Sequence, residues 1–112
     1  MNTKKEIREI IAEHRAELKK GTMGYHSCGK NIYLTDKDYV RVYIFGTGIE
    51  LSLHLDNSET LCIFYRGGSI NDLDSVWRRF KYAFKKSIAK EEEYKAIDKA
   101  SVAKLKKLYS LL

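Results

Sequence analysis

Tyr39-Val40-Arg41-Val42-Tyr43-Ile44-Phe45-Gly46-Thr47-Gly48-Ile49-Glu50-Leu51-Ser52-Leu53-His54-Leu55 is the stretch whose reading decides the fold. Val40, Val42 and Ile44 alternate with Tyr39, Arg41, Tyr43 and Phe45. Ile49, Leu51, Leu53 and Leu55 alternate with Glu50, Ser52 and His54. A period of two sends successive side chains to opposite faces of a strand, so each run has one apolar face. Gly46-Thr47-Gly48 leaves room only for a tight connection, and the two runs read as an antiparallel hairpin. Asp56-Asn57-Ser58-Glu59 is a polar turn. Thr60 to Arg66 reads as a further strand, ended by Gly67-Gly68, and Asn31 to Leu34 as a short strand before the hairpin. Residues 21–30 hold three glycines and read as a loop. Successive strands joined by short turns imply a meander.

Helical patterns flank the strands. In residues 3–20, Ile7, Ile10, Ile11, His14 and Leu18 recur at helical spacing and define a buried stripe. A histidine inside that stripe reads as a hydrogen-bonded core residue. Thr3 and Glu6 match a T-x-x-E capping box, and Gly21 ends the helix. Glu6, Glu9, Glu13 and Glu17 form a second stripe beside the apolar one. After the strands, Asp72 or Asp74 can cap a helix on which Trp77, Phe80, Phe84 and Ile88 point one way, with Val76 and Ala83 at the edge. A break or bend is expected near Ser87 to Glu91. A last helix follows from about Glu91 to Leu112, with Tyr94, Ile97, Leu105, Leu108 and Leu112 as its stripe. Glu91, Glu92 and Glu93 would favour its start through the helix dipole. The fold class is α+β: an N-terminal helix, an antiparallel three- to four-stranded meander and two C-terminal helices. The 112 residues suit one compact domain, 1–112.

The charge is unevenly placed. Residues 76–112 hold 11 basic and 4 acidic residues, a net of +7, whereas the first 75 net −1. Between Ser75 and Lys90 stand Arg78, Arg79, Lys81, Lys85, Lys86 and Lys90, with no acid, interleaved with Trp77, Phe80, Tyr82 and Phe84. Like charges this close repel, and a polyanion, an acidic protein surface or solvation must offset them. The expectation is a non-catalytic nucleic-acid-binding domain. In it, Arg78, Arg79, Lys81, Lys85, Lys86 and Lys90 contact phosphates and Lys95, Lys99 and Lys106 extend the track. Tyr82, Arg41 and Tyr43 reach bases. DNA and RNA are not distinguished. Another reading pairs the basic helix with the glutamate stripe, within the chain or across a homodimer.

Tyr39, Arg41, Tyr43 and Phe45 admit two readings. They form an open aromatic face of the kind that stacks bases, or, more simply, a face covered by a second helix layer. The element order is similar to that of double-stranded-RNA-binding domains, in order alone. Their lysine-rich motif opens the helix after the sheet, whereas here that helix opens Ser75-Val76-Trp77-Arg78-Arg79 and a further helix follows. Small, proline-free chains rich in lysine and tyrosine also resemble many phage and mobile-element products, some of which inhibit host defences. That likeness supplies the alternative: a small protein-binding inhibitor of counter-defence type, acting through the basic face or the aromatic sheet face.

Little points to catalysis. No H-E-x-x-H, G-x-S-x-G or G-x-x-x-x-G-K-[ST] occurs. His26, Cys28, His54 and Cys62 lack the close pairs of a usual zinc site. Cys28 with His26 or His54 as base is an equally weak pattern. No metal, cofactor or catalytic residue is therefore expected. No apolar run approaches the ~20 residues of a membrane span. The N-terminus enters a charged helix and not an apolar leader. A cytoplasmic location, with Cys28 and Cys62 reduced, is the expectation.

Overall fold

The structure is a computed structural model. It describes the backbone of residues 2–20, 27–55, 62–93 and 99–112, and the side chains of 2–20, 27–55, 68–90 and 102–112. Helix α1 (Thr3–Lys19) is followed by strands β1 (Ser27–Tyr33), β2 (Tyr39–Phe45), β3 (Gly48–His54) and β4 (Cys62–Ser69). A 3-10 turn (Ile70–Asp72) then leads into α2 (Leu73–Glu93), and α3 (Lys99–Leu111) closes the described chain. The strands form one antiparallel sheet in the order β1-β2-β3-β4, the meander that the short turns imply.

The hairpin pairs as its alternation requires. Phe45 faces Gly48 across a two-residue turn, and Gly46 sits at φ 59°, a left-handed conformation natural to glycine. Val40, Val42, Ile44, Ile49, Leu51 and Leu53 are buried together with Ile7, Ile10 and Ile11 of α1. Val76, Trp77, Phe80, Phe84 and Ile88 of α2 and Leu105 and Leu108 of α3 complete the cluster. All three helices thus add to one core, α1 over β1 and β2, α2 over β4, and α3 against α2. His14 is buried and its Nε2 donates to the Gly46 carbonyl at 2.7 Å, tying α1 to the hairpin turn.

Several expectations are corrected. The N-cap of α1 is Asn2, whose Oδ1 accepts from the Lys5 N–H at 3.0 Å. Thr3 is instead the first helical residue and is buried. Residues 27–30 are strand and not loop. β1 is an edge strand with only Cys28 and Ile32 turned partly or fully into the core, so polar residues hide its alternation. Gly29 fits there because the Arg41 side chain lies across it; a Cβ would stand 2.8 Å from Nη2. β4 does not stop at Gly67-Gly68 but runs to Ser69. Arg66 and Gly67 together oppose Glu50 in a bulge, where an unbranched backbone is easily accommodated.

The expected break near Ser87 to Glu91 is absent. The segment has neither glycine nor proline, and Ser87 Oγ donates to the Ala83 carbonyl one turn back at 3.0 Å, so the helix continues. Glu91, Glu92 and Glu93 therefore close α2 rather than open the last helix, which begins at Lys99. Asp72 does cap α2, its Oδ1 accepting from the Ser75 N–H at 3.2 Å. Residues 21–26, the turn Asp56–Glu59, Thr60, Tyr94, Lys95 and Ile97 lie outside the described residues, as do the side chains of Cys62 and Lys99. No helix is long and apolar enough to cross a membrane among the described residues.

Candidate nucleic-acid interface

The apolar stripe of α2 fixes the direction of its polar arc. Trp77, Phe80, Phe84 and Ile88 recur every three or four residues and face the sheet, so residues between them must face away. Arg78, Arg79, Tyr82, Lys85, Lys86 and Lys90 are exposed and Lys81 is half-buried on the shoulder. From Arg78 to Lys90 the arc covers about 18 Å of helix. Tyr82, 67% exposed, stands at its middle with Arg78 one turn before and Lys86 one turn after.

Lys4 lowers the Asp74 pKa most, by hydrogen bond and charge, and the Arg78 charge one turn after Asp74 helps to lower it. Among the described residues, no carboxylate forms an ion pair with Arg78, Lys81, Lys85, Lys86 or Lys90; the ion pairs found join Lys4 to Asp74, Lys20 to Glu17, Lys30 to Glu13 and Lys104 to Asp38. Lys81 and Lys85 instead place their ammonium groups 5.6 Å from the Tyr109 ring centroid of α3. Tyr109 meets Phe84 edge-on at 5.3 Å, which turns its face to the two lysines. The ring quadrupole attracts both cations without cancelling their charge. Two ammonium groups are thereby gathered at the α2–α3 boundary.

The second expected group, Arg41 and Tyr43, is elsewhere. Of the two readings of the sheet face away from the helices, the covered one is not met: among the described residues no second helix layer lies over it. Tyr33 is 51% exposed, Tyr43 37% and Phe45 49%. On this face Tyr33 meets Tyr39 at 5.2 Å and Tyr39 stacks on His54 at 4.9 Å with an interplanar angle of 6°. Arg41 lies over Gly29, its Nη1 donating to Asn31 Oδ1 at 3.2 Å. Ser52 Oγ and His54 Nε2 share a hydrogen bond at 2.9 Å. Burial lowers the His54 pKa from its ordinary value, and the Arg41 charge lowers it further. Because the helices cover the other face, the basic arc and this aromatic face are back to back. They are two surfaces, not one site.

The catalytic readings gain no geometry. Cys28 pairs with Ile44 on the core-facing side, whereas His54 pairs with Tyr39 on the open side, so the sheet itself separates thiol from imidazole. Burial also raises the Cys28 pKa, against thiolate formation, with Lys30 opposing in part. His26 lies outside the described residues. No cluster of three metal-ligating side chains occurs among the described residues.

One structural feature near the arc escaped sequence reading. Asp38 is buried; its Oδ2 accepts from Thr35 Oγ1 at 2.6 Å, and its Oδ1 pairs with Lys104 Nζ at 3.0 Å. This clamp fastens the β1–β2 turn to α3, the helix whose Tyr109 gathers the lysines. No protein-family model, curated protein or solved structure matches this chain.

Proposed function

We propose that this chain is a non-catalytic nucleic-acid-binding protein that lays the exposed arc of α2 along a phosphate backbone. The observation that supports this reading is the set of five cations that form no ion pair among the described residues, Arg78, Lys85, Lys86 and Lys90 exposed and Lys81 on the shoulder. Arg79 and Lys106 are further exposed basic residues of α2 and α3. Tyr82 stacks on a base or sugar exposed to it. Neutralising about five phosphates releases their counterions, so log K falls against log salt with a slope of roughly −4 to −5 on duplex and somewhat less on single strands. Binding to a labelled DNA and an RNA of mixed sequence, titrated at several salt concentrations, tests this. Loss of one slope unit in Lys86→Gln is the expected result. A flat salt response, or no binding to either at low salt, overturns it.

A second reading, a protein-binding module of inhibitory type, is favoured by the open sheet face. Three tyrosines, Phe45 and Arg41 lie there, with Glu50 as the only acid and no lysine among the described residues. Tyrosine, phenylalanine and arginine are enriched at protein interfaces and lysine is depleted. A partner held after nuclease treatment and released by Tyr43→Ser would favour this reading over the first.

A further inference from the structure

β1 is the outer strand of the sheet, paired on one side with β2 and with nothing on its other side among the described residues. An antiparallel edge strand leaves the N–H and C=O of every second residue without a ladder partner. Among the described residues, this edge of β1 is not flat against solvent. It forms one wall of a groove of about 290 Å³ whose other wall is α1, lined by Glu6, Glu9, Glu13, Lys30, Ile32 and Tyr33. A second hollow of about 360 Å³ carries the groove on towards Cys28 and Glu17. The Glu6 end lies near Tyr33 and the Glu17 end near Cys28, so α1 runs antiparallel to β1 beside its edge.

The wall is acidic, and the structure shows how a cation sits on it. Lys30 reaches from β1 to Glu13, with Nζ 2.9 Å from Oε2, and that bond raises the Lys30 pKa. Glu6 and Glu9, further along the same wall, have no ion-pair partner among the described residues. Glutamates on successive helical turns stand about 5.4 Å apart along the axis. Side chains on one face of an extended peptide repeat at about 6.8 Å. The two spacings are close enough for alternate residues of a bound strand to meet successive glutamates.

We propose that the edge of β1 and the glutamate wall of α1 form a docking groove for an extended segment of a partner protein that bears alternating lysine or arginine, added as a fifth strand. Backbone pairing to β1 supplies affinity, and the glutamates select basic side chains. A second copy of this chain is a poor occupant. Pairing two β1 edges about a two-fold axis would set the glutamate walls of both α1 helices side by side, where like charges repel. This groove is separate from the basic arc of α2, and its occupancy does not depend on the nucleic-acid reading.

The test uses the full chain and four capped six-residue peptides: alternating lysine and valine, alternating glutamate and valine, and two forms of the lysine–valine peptide N-methylated at alternate amides, one in each register. Amide NMR shifts and titration follow binding. The lysine–valine peptide is expected to shift the amides of β1 and α1, and the glutamate–valine peptide none. One N-methyl register should abolish binding and the other preserve it. Glu6→Gln and Glu9→Gln, exposed substitutions that leave the core intact, should each weaken binding about two- to fivefold. Shifts centred on α2, indifference to both N-methyl registers, equal binding of the acidic peptide, no binding at millimolar peptide, or dimerisation through β1 by light scattering would each overturn the proposal.

Discussion

Thr3 shows how one atom can oppose the rest of its neighbourhood. Its N–H donates to the Leu112 carbonyl at 3.3 Å, but its Oγ1 is buried without a hydrogen-bond partner among the described residues. A buried hydroxyl left unpaired costs free energy that an alkyl group of similar shape does not. Thr3→Val should therefore stabilise the protein by about 1 kcal/mol, read as a higher denaturant midpoint at unchanged m-value. A lower midpoint would show that the hydroxyl is satisfied in solution. Asp38 is the converse case, since both its oxygens are engaged. Asp38→Asn should cost about 1.5–3 kcal/mol, the range for a hydrogen bond to a charged group. His14 was legible in the sequence because it falls within its own helix's apolar stripe. Asp38 was not, because its cation is on α3 and no local period links the two. Gly29 was misread for a similar reason: it is accommodated by Arg41 of the neighbouring strand, not by a turn.

At the scale of elements, periodicity carried β2, β3, α1 and the apolar stripe of α2. It failed where an element has only one or two residues in the core, as β1 does, and where a polar run without glycine or proline was taken for a boundary. The continuity of α2 is directly testable at Ala89, which is exposed within it. Glycine in an exposed helix interior costs about 1 kcal/mol relative to alanine. Ala89→Gly should lower stability by about that amount in chemical denaturation, whereas a frayed or broken segment would leave it unchanged. The open sheet face makes a separate prediction through His54. Its folded pKa lies below the unfolded value near 6.5, chiefly through burial and then through Arg41. Below that pH the unfolded chain binds more protons than the folded one. The stability contribution is thus complete above about pH 6.5 and is lost as pH falls through the folded pKa. Urea midpoints across this window should fall on acidification, and His54→Gln should flatten that dependence.

At the scale of the whole molecule, two stripes of opposite sign lie on different helices, although α1 also carries lysines and arginines outside its glutamate stripe. The basic arc belongs to α2, the glutamate wall to α1, and the aromatic sheet face carries almost no net charge. The charge partition was visible in the sequence. The back-to-back placement of the basic and aromatic surfaces was not, because it depends on all helices choosing one face of the sheet. A surface retained for binding rather than for folding should behave in opposite ways in the two assays, and Lys86 separates them. Lys86 and Lys90 are one turn apart on α2, and like charges at that spacing destabilise a helix by about 0.2–0.5 kcal/mol. Lys86 is exposed and makes no ion pair among the described residues. Lys86→Gln keeps the helix propensity and removes the repulsion, so thermal unfolding should occur at an equal or slightly higher temperature. If the proposed function holds, the same substitution removes one phosphate contact, so nucleic-acid binding should weaken by a similar factor on every sequence tried, with a shallower salt dependence. A fall in stability together with unchanged binding would instead make Lys86 a structural residue, and would leave the basic arc as a solvated face.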